Sequence, residues 1–261
     1  MQDDIVERVV QEVMRQVGAA PASGGNNVAA PKNPGLTEFI GTAIGDTIGL
    51  VIANVDPDLH KLLKLDPKYR SIGIIGGRTG AGPQIMACDE AVKATNTEVI
   101  KVELPRDTKG GAGHGCLILF GAEEVSDARR AVEVALNDLP TRFGDVYAND
   151  NGHLEFQYTA RASLACNFAF NVPIGKAFGL LVGAPAAIGV ILVDTAVKAA
   201  DVDLVGGAGP TSGLSYTNEY VAFLSGDAGA VRAAVIAARE VGIKLLGAWG
   251  NEPKSVTVPY I

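Results

Sequence analysis

The chain has 261 residues, 48% of them hydrophobic and 20% charged, with 22 Lys and Arg against 29 Asp and Glu for a net charge of −7. That length holds one large domain or two modest ones, and an acidic balance without a basic block argues against nucleic acid or an anionic membrane as partner. Glycine takes 32 positions, against a usual share of about 7%, and low charge with so many small residues suggests a surface covered largely by other protein.

Residues 3–17 predict an amphipathic helix. Ile5, Val9, Val13 and Val17 recur every four residues with Val6, Val10 and Met14 beside them, while Glu7, Arg8, Gln11, Glu12, Arg15 and Gln16 fill the other face. Residues 18–35 are rich in Gly, Ala, Pro, Ser and Asn and nearly empty of large apolar side chains, which is linker chemistry. An apolar stripe on such a tether either folds back onto its own domain or docks in a groove of another protein.

The remainder carries an internal repeat. Glu38-Phe-Ile-Gly-Thr-Ala43 returns as Glu155-Phe-Gln-Tyr-Thr-Ala160, Asp89-Glu-Ala-Val-Lys-Ala94 as Asp194-Thr-Ala-Val-Lys-Ala199, and Phe120-Gly121 matches Ser225-Gly226. The spacing between the first two words implies about a dozen extra residues in the first copy, around His60–Arg70. Each copy then reads as an apolar strand (Ile72–Gly76; Phe178–Gly183), a helix opened by Pro83 or Pro185, and a strand (Val99–Leu104; Val202–Val205). A glycine-rich loop, a further strand (Cys116–Phe120; Val221–Leu224) and a second apolar-striped helix complete the unit. The expectation is a βαββα unit preceded by an extra strand region, in two α/β domains spanning 36–150 and 151–261.

Catalytic chemistry has little to stand on. His60, His114 and His153 are scattered, no nucleophile elbow, zinc-protease helix or phosphate-loop motif is present, and Cys88, Cys116 and Cys166 have neither disulfide nor zinc spacing. They read as buried thiols of a reducing compartment. The N-terminus has no secretory signal, and the longest uncharged run, Phe178–Val193, is interrupted by Pro185 and too short for a membrane span, so a soluble chain is expected. Gly77-Arg-Thr-Gly-Ala-Gly82 before a helix could cradle a phosphate. Asp89 and Glu90 read as carboxylates placed near the positive end of their own helix.

Two glycine-rich loops hold equivalent places, Asp107–Gly115 and Gly206–Ser215. They are either flexible surface turns or the main-chain lining of a narrow opening where several copies meet around an axis.

The Asp-x-Ala-Val-Lys-Ala helices, the strand–loop–strand after each, and segments such as Gly41–Asp56 (GTAIGDTIGLVIANVD), Glu103–Gly115 (ELPRDTKGGAGHG) and Gln157–Ser163 (QYTARAS) carry a resemblance over residues 36–261. The chain resembles the tandem-domain, trimeric shell proteins of bacterial microcompartments, most of all the large ones of propanediol-utilisation compartments. The resemblance implies an α/β (α+β) fold of two tandem, circularly permuted microcompartment domains, each a small, mostly antiparallel sheet covered by helices. It implies a non-enzymatic protein of the cytoplasm, standing in a compartment shell. Three chains would make a pseudohexameric disc that tiles with other shell proteins and passes small polar metabolites. Carried onto this chain, the pore loop falls on Thr108, Lys109, Gly110, Gly111, Ala112, Gly113 and His114, and on Pro210, Thr211, Ser212, Gly213, Leu214 and Ser215. Openings between the two domains of one chain also occur in the family, for which Asn54 and Glu103 are candidates. The loops hold no cysteine for the iron–sulfur cluster some members carry, so no metal or cofactor is expected. The helix with Ile5, Val6, Val9, Val10, Val13 and Val17 resembles extensions that tether encapsulated enzymes.

Two other readings compete. An enzyme using Gly77–Gly82 would bind nucleotide and lose it in Arg78→Ala, and a sensor closing on a small metabolite would be a monomer or dimer stabilised by its ligand.

Overall fold

Alternating and continuous apolar strands pair into two antiparallel sheets, each with its helices laid against it. The computed structural model describes residues 32–105, 115–212 and 217–261; the expected N-terminal helix lies outside them. In the first copy the order is β1 (Phe39–Ala43), β2 (Thr47–Ile52), α1 (Pro57–Leu63), β3 (Ser71–Gly77), α2 (Gly82–Ala94), β4 (Glu98–Glu103), β5 (Cys116–Ala122) and α3 (Val125–Arg142). The second copy repeats it with β6 (Val146–Asn149), β7 (Gly152–Thr159), α4 (Leu164–Phe170), β8 (Ala177–Ala184), α5 (Ala186–Ala199), β9 (Asp203–Ala208), β10 (Tyr220–Gly226) and α6 (Ala228–Leu246). A short strand β11 (Lys254–Ser255) joins the edge of the second sheet. The sheet orders are β1-β2-β3-β5-β4 and β11-β6-β7-β8-β10-β9. Strand β6 precedes residue 150 yet belongs to the second sheet.

The sheets define which residues are equivalent. Ser71–Gly77 pairs along Cys116–Ala122 as Ala177–Gly183 pairs along Tyr220–Gly226, and Ile48 faces Gly76 where Glu155 faces Val182. Two expectations are corrected by this register. The Glu-Phe-x-x-Thr-Ala words are not equivalent, because Phe39–Ala43 is edge strand β1 while Glu155–Thr159 lies in β7, the counterpart of β2. The connectors 53–70 and 160–176 are also nearly equal in length and each carries a short helix, so the first copy has no insertion. Phe120 corresponds to Leu224, one residue from the sequence match. The Asp-x-Ala-Val-Lys-Ala words do fall on equivalent helices, α2 and α5.

One core runs across the boundary between the copies. Ile75, Ile85, Met86, Phe120 and Val132 of the first copy pack in one cluster with Cys166, Phe170, Phe178, Leu180 and Phe223 of the second. A second core, including Leu154, Phe156, Leu181, Leu192, Leu224 and Val235, fills the space between the second sheet and α5 and α6.

Asp89 joins the two halves. It lies in the middle of α2, not near that helix's positive end as the sequence suggested, and is fully buried. Its carboxylate accepts from Ser163 N at 3.0 and 2.9 Å and from Cys166 N at 3.1 Å, capping α4 of the other copy. Lys93 Nζ lies 3.0 Å away. Burial works against the Lys93 ammonium, but the charges and hydrogen bonds of Asp89 and Glu90 outweigh it and raise its pKa. The positive helix end that Asp89 serves is therefore α4's. At the far side of the second copy, buried Asp145 accepts from Arg239 Nη1 at 2.6 Å, Tyr260 N at 2.7 Å and Ile261 N at 3.1 Å, which anchors the C-terminal tail.

Asp89→Asn keeps the shape but weakens three charge-assisted bonds. Denaturant unfolding is expected to show a loss of about 2–4 kcal/mol; a loss below about 1 kcal/mol, the scale of a surface pair, would contradict this role.

Candidate functional site: the cavity between the two copies

The glycine-rich loops leave the same end of equivalent strand pairs, β4–β5 and β9–β10. Thr108–His114 and Gly213–Ser215 lie outside the described residues. Pro210, Thr211 and Ser212 are exposed in a turn closed by Gly209 N donating to Ser212 Oγ at 3.1 Å and Ser212 N donating to Gly209 O at 3.2 Å. Under the roots of both loops, between the two copies, is a cavity of about 50 Å³. Leu104, Ala208, Val221 and Phe223 border it from the loop side, Ala81 and Gly82 from the start of α2, Phe170 from α4, and Leu180 and Val182 from β8. Two carboxylates, Glu155 and Glu219, complete the lining.

Glu155 is 2% exposed and its Oε1 has no hydrogen-bond partner. Burial, reinforced by the charge of Glu219, pushes its carboxyl from an ordinary 4.5 up to about 8. Glu219 is equally buried, and its Oε2 lies 3.2 Å from His153 Nε2. Sequence reasoning missed both acids. The available signal was β7 itself, where His153, Glu155, Gln157 and Thr159 alternate with Leu154, Phe156 and Tyr158. A strand buried on both faces with one polar row marks a polar junction.

The Gly77–Gly82 turn is filled rather than open. Gln84 Nε2 donates to Thr79 O at 2.9 Å and to Thr47 Oγ1 at 3.0 Å, and Thr79 N donates to Gly45 O at 3.1 Å. Its helix end meets the Glu155 carboxyl: a Cβ on Gly82 would overlap Glu155 Oε1 and crowd Leu180 Cδ2 at 2.6 Å. A phosphate has no room there, so the nucleotide reading loses its physical basis.

Asn54 and Glu103 are not brought together at this cavity. Asn54 is exposed beside a separate cleft with His60, Lys61, Lys64 and Arg70, and Glu103 ends β4 in an ion pair with Lys101 at 3.0 Å. The three cysteines are buried; burial pushes Cys88 and Cys166 well above the ordinary thiol range and Cys116 up to about 12, which leaves them inert packing groups. The apolar run Phe178–Val193 forms β8 and most of α5, and among the described residues no helix is long and apolar enough to cross a membrane.

Comparison with known proteins gives the same two-copy division. The BMC domain family matches residues 71–149 and again 177–249. The chain is 55% identical over 267 residues to the bacterial microcompartment shell protein PduB of Citrobacter freundii, covering 99% of each chain. It is similar in fold to the crystal structure of a trimeric bacterial microcompartment shell protein PduB, with TM-score 0.83 and 51% identity over 87% of this chain and 100% of that one. The crystal structure of EtuB from Clostridium kluyveri gives TM-score 0.84 and 57% identity at the same coverage.

Gly82→Ala is expected to lower stability by about 1–3 kcal/mol through overpacking. Combined with Glu155→Ala, most of that cost should vanish in a double-mutant cycle of melting or denaturant curves. Additive losses would show that the carboxyl is not what excludes a side chain there.

Proposed function

The chain belongs to the BMC domain family and is a structural shell protein of a bacterial microcompartment, and from that premise we propose that three copies close into a ring in which the junction inside each chain is repeated between chains. The observation that carries this is a comparison of two helix faces. On α2, Ile85, Met86 and Asp89 are fully buried because α4 of the second copy covers them. Their equivalents on α5 are open: Val190 is 50% exposed, Ile191 44%, and the Asp194 side chain 54%. An exposed apolar stripe of this kind is a surface awaiting a partner.

The element that covers α2 is α4 of the second copy, a seven-residue helix that ends in a left-handed residue, Asn171 at φ 56°. Its counterpart α1 ends the same way, in Lys64 at φ 56°, has no buried residue, and presents Leu62 to solvent. Helix α1 does not pack on α5 of its own chain, so a second copy supplies it. Charge agrees, since His60, Lys61, Lys64 and Arg70 surround the cleft at α1 while Asp194, Asp201 and Asp203 lie on α5 and at the start of β9. Such a head-to-tail contact forms a ring when the rotation closes. Two equivalent copies per chain then give six positions from three chains, which is consistent with the trimeric relative.

In that ring the loops Thr108–His114 and Pro210–Ser215 meet near the axis and border a passage for small polar metabolites. The disc packs edge to edge with other shell proteins in the shell of a cytoplasmic compartment. The stripe Ile5, Val9, Val13 and Val17 tethers encapsulated enzymes. It is supported by the sequence pattern of helix and linker, which resembles cargo-attaching extensions.

Replacing Val190 and Ile191 together by Asp should convert the trimer to monomer by light scattering while leaving the circular dichroism spectrum unchanged. A trimer that persists would remove α5 from the interface. Deleting residues 1–17 should leave shells intact and reduce co-purifying cargo; full retention of cargo would end the tether reading.

A further inference from the structure

Two junctions of one plan need not accept the same mate, and here their faces are built from different residues. Inside the chain, the face that β7 offers to the first copy carries Glu155 and Gln157. Glu155 fits because Gly82 has no side chain: a Cβ there would overlap Glu155 Oε1. Gln157, fully buried, donates from Nε2 to Arg142 O at 2.9 Å and accepts from the Tyr260 hydroxyl at 3.0 Å. The Arg142 guanidinium lies 5.2 Å from the Tyr260 ring centre, donates from Nε to Asp138 Oδ2 at 2.6 Å and stands 3.4 Å from Glu90 Oε1. A strand and the C-terminal tail of the second copy thus grip the end of α3 through polar contacts.

The outer faces are apolar at the same positions. By register, Ile48 stands where Glu155 does and Leu50 where Gln157 does. A Cβ on Gly49, between them, would press on Val132 and Leu136 of α3, so Ile48 and Leu50 face away from their own core. Ile48 is 39% exposed. On the receiving side, helix register puts Ala187 at the place of Gly82, Thr195 at that of Glu90 and Leu246 at that of Arg142. Ala187 is exposed. Leu246 O needs no donor from another chain, because Asn149 Nδ2 in its own sheet already donates to it at 3.0 Å.

We propose that these differences key each face to one mate: the Ile48–Leu50 face of one chain accepts the α5 face of a second chain and is refused by an α2 face, while the Glu155–Gln157 face accepts α2 alone. The key rests on the ring reading and adds to it the rule that the two kinds of copy alternate. Crossed pairings carry the cost. Laid on α5, Glu155 would meet the Ala187 methyl where Gly82 leaves room, and the Gln157 amide would be buried beside an acceptor already taken. Laid on α2, Leu50 would deprive Arg142 O of its donor, and the shorter Ile48 would leave unfilled the space over Gly82 that the Glu155 carboxyl occupies. Selectivity is the difference between right and wrong pairings, and the crossed contacts enlarge it.

The test is trimer association of the full-length chain, read by light scattering over a dilution series at one pH. Ile48→Gln gives β2 the longer, polar side chain without adding charge, and at a partly exposed position the fold of the single chain is not at stake. It should weaken association by about 10–100-fold. Adding Ala187→Gly should recover at least about tenfold of that loss, although glycine in a helix is by itself destabilising. Leu50→Gln should weaken the ring as well and gain nothing from Ala187→Gly. Unchanged association in Ile48→Gln, while replacement of Val190 and Ile191 by Asp gives monomer, would leave the ring standing and overturn the key. Unchanged association in both overturns the ring and the key with it. Weakening that Ala187→Gly does not reverse overturns the pairing of positions 48 and 187. Recovery of Leu50→Gln by the same glycine would reveal a general loosening of the contact and overturn the key too.

Discussion

The fold depends on how the charge of Asp89 is neutralised. A carboxylate in the middle of a buried helix face would be prohibitively costly unpaired. Here the first turn of a helix from the other copy supplies three N–H contacts and Lys93 supplies the opposite charge. Satisfying the carboxylate fixes α4 over α2. That in turn seats Cys166 against Met86, with Sγ and Sδ 3.6 Å apart, and places Phe170 on Phe178 and Phe223. The shared core and the cavity beside it follow from this arrangement.

The repeated sequence word therefore has two environments. Asp89 is buried and caps a neighbouring helix, while Asp194 pairs with Lys198 at 2.7 Å on an open face. Equal chemistry at unequal burial is what a chain with one internal and one external junction should show. Departures from equivalence then carry meaning. Glu155 and Gly82 make the internal junction polar and close-packed, where the equivalent positions of the other copy's faces carry Ile48 and Ala187.

How much could be read beforehand varied with the physics of each element. Helices α2 and α5 and the strands beside them were readable because long apolar periods and a repeated word agree. Helices α1 and α4 were not, since seven residues give too few turns for a 3.6-residue period to declare itself. The Glu-Phe-x-x-Thr-Ala match misled because edge strand β1 and inner strand β7 both favour the same alternating residues, while only hydrogen-bond register distinguishes them. The role of Asp89 was misplaced because its partner is distant in sequence. Glu155 went unnoticed because a lone acid within a strand ordinarily faces water, and its burial comes from α2 of the other copy.

The central claim is that one junction is used twice, once within the chain and once between chains. It is tested most directly by copying the Met86–Cys166 contact into the outer junction. Ile191 and Leu59 are the equivalent positions, so a chain carrying both Leu59→Cys and Ile191→Cys should form disulfides between chains on mild oxidation. Non-reducing electrophoresis should show covalent trimers of the 26.9 kDa chain, and neither single variant should yield them. A double variant that assembles normally yet stays uncrosslinked would contradict the account.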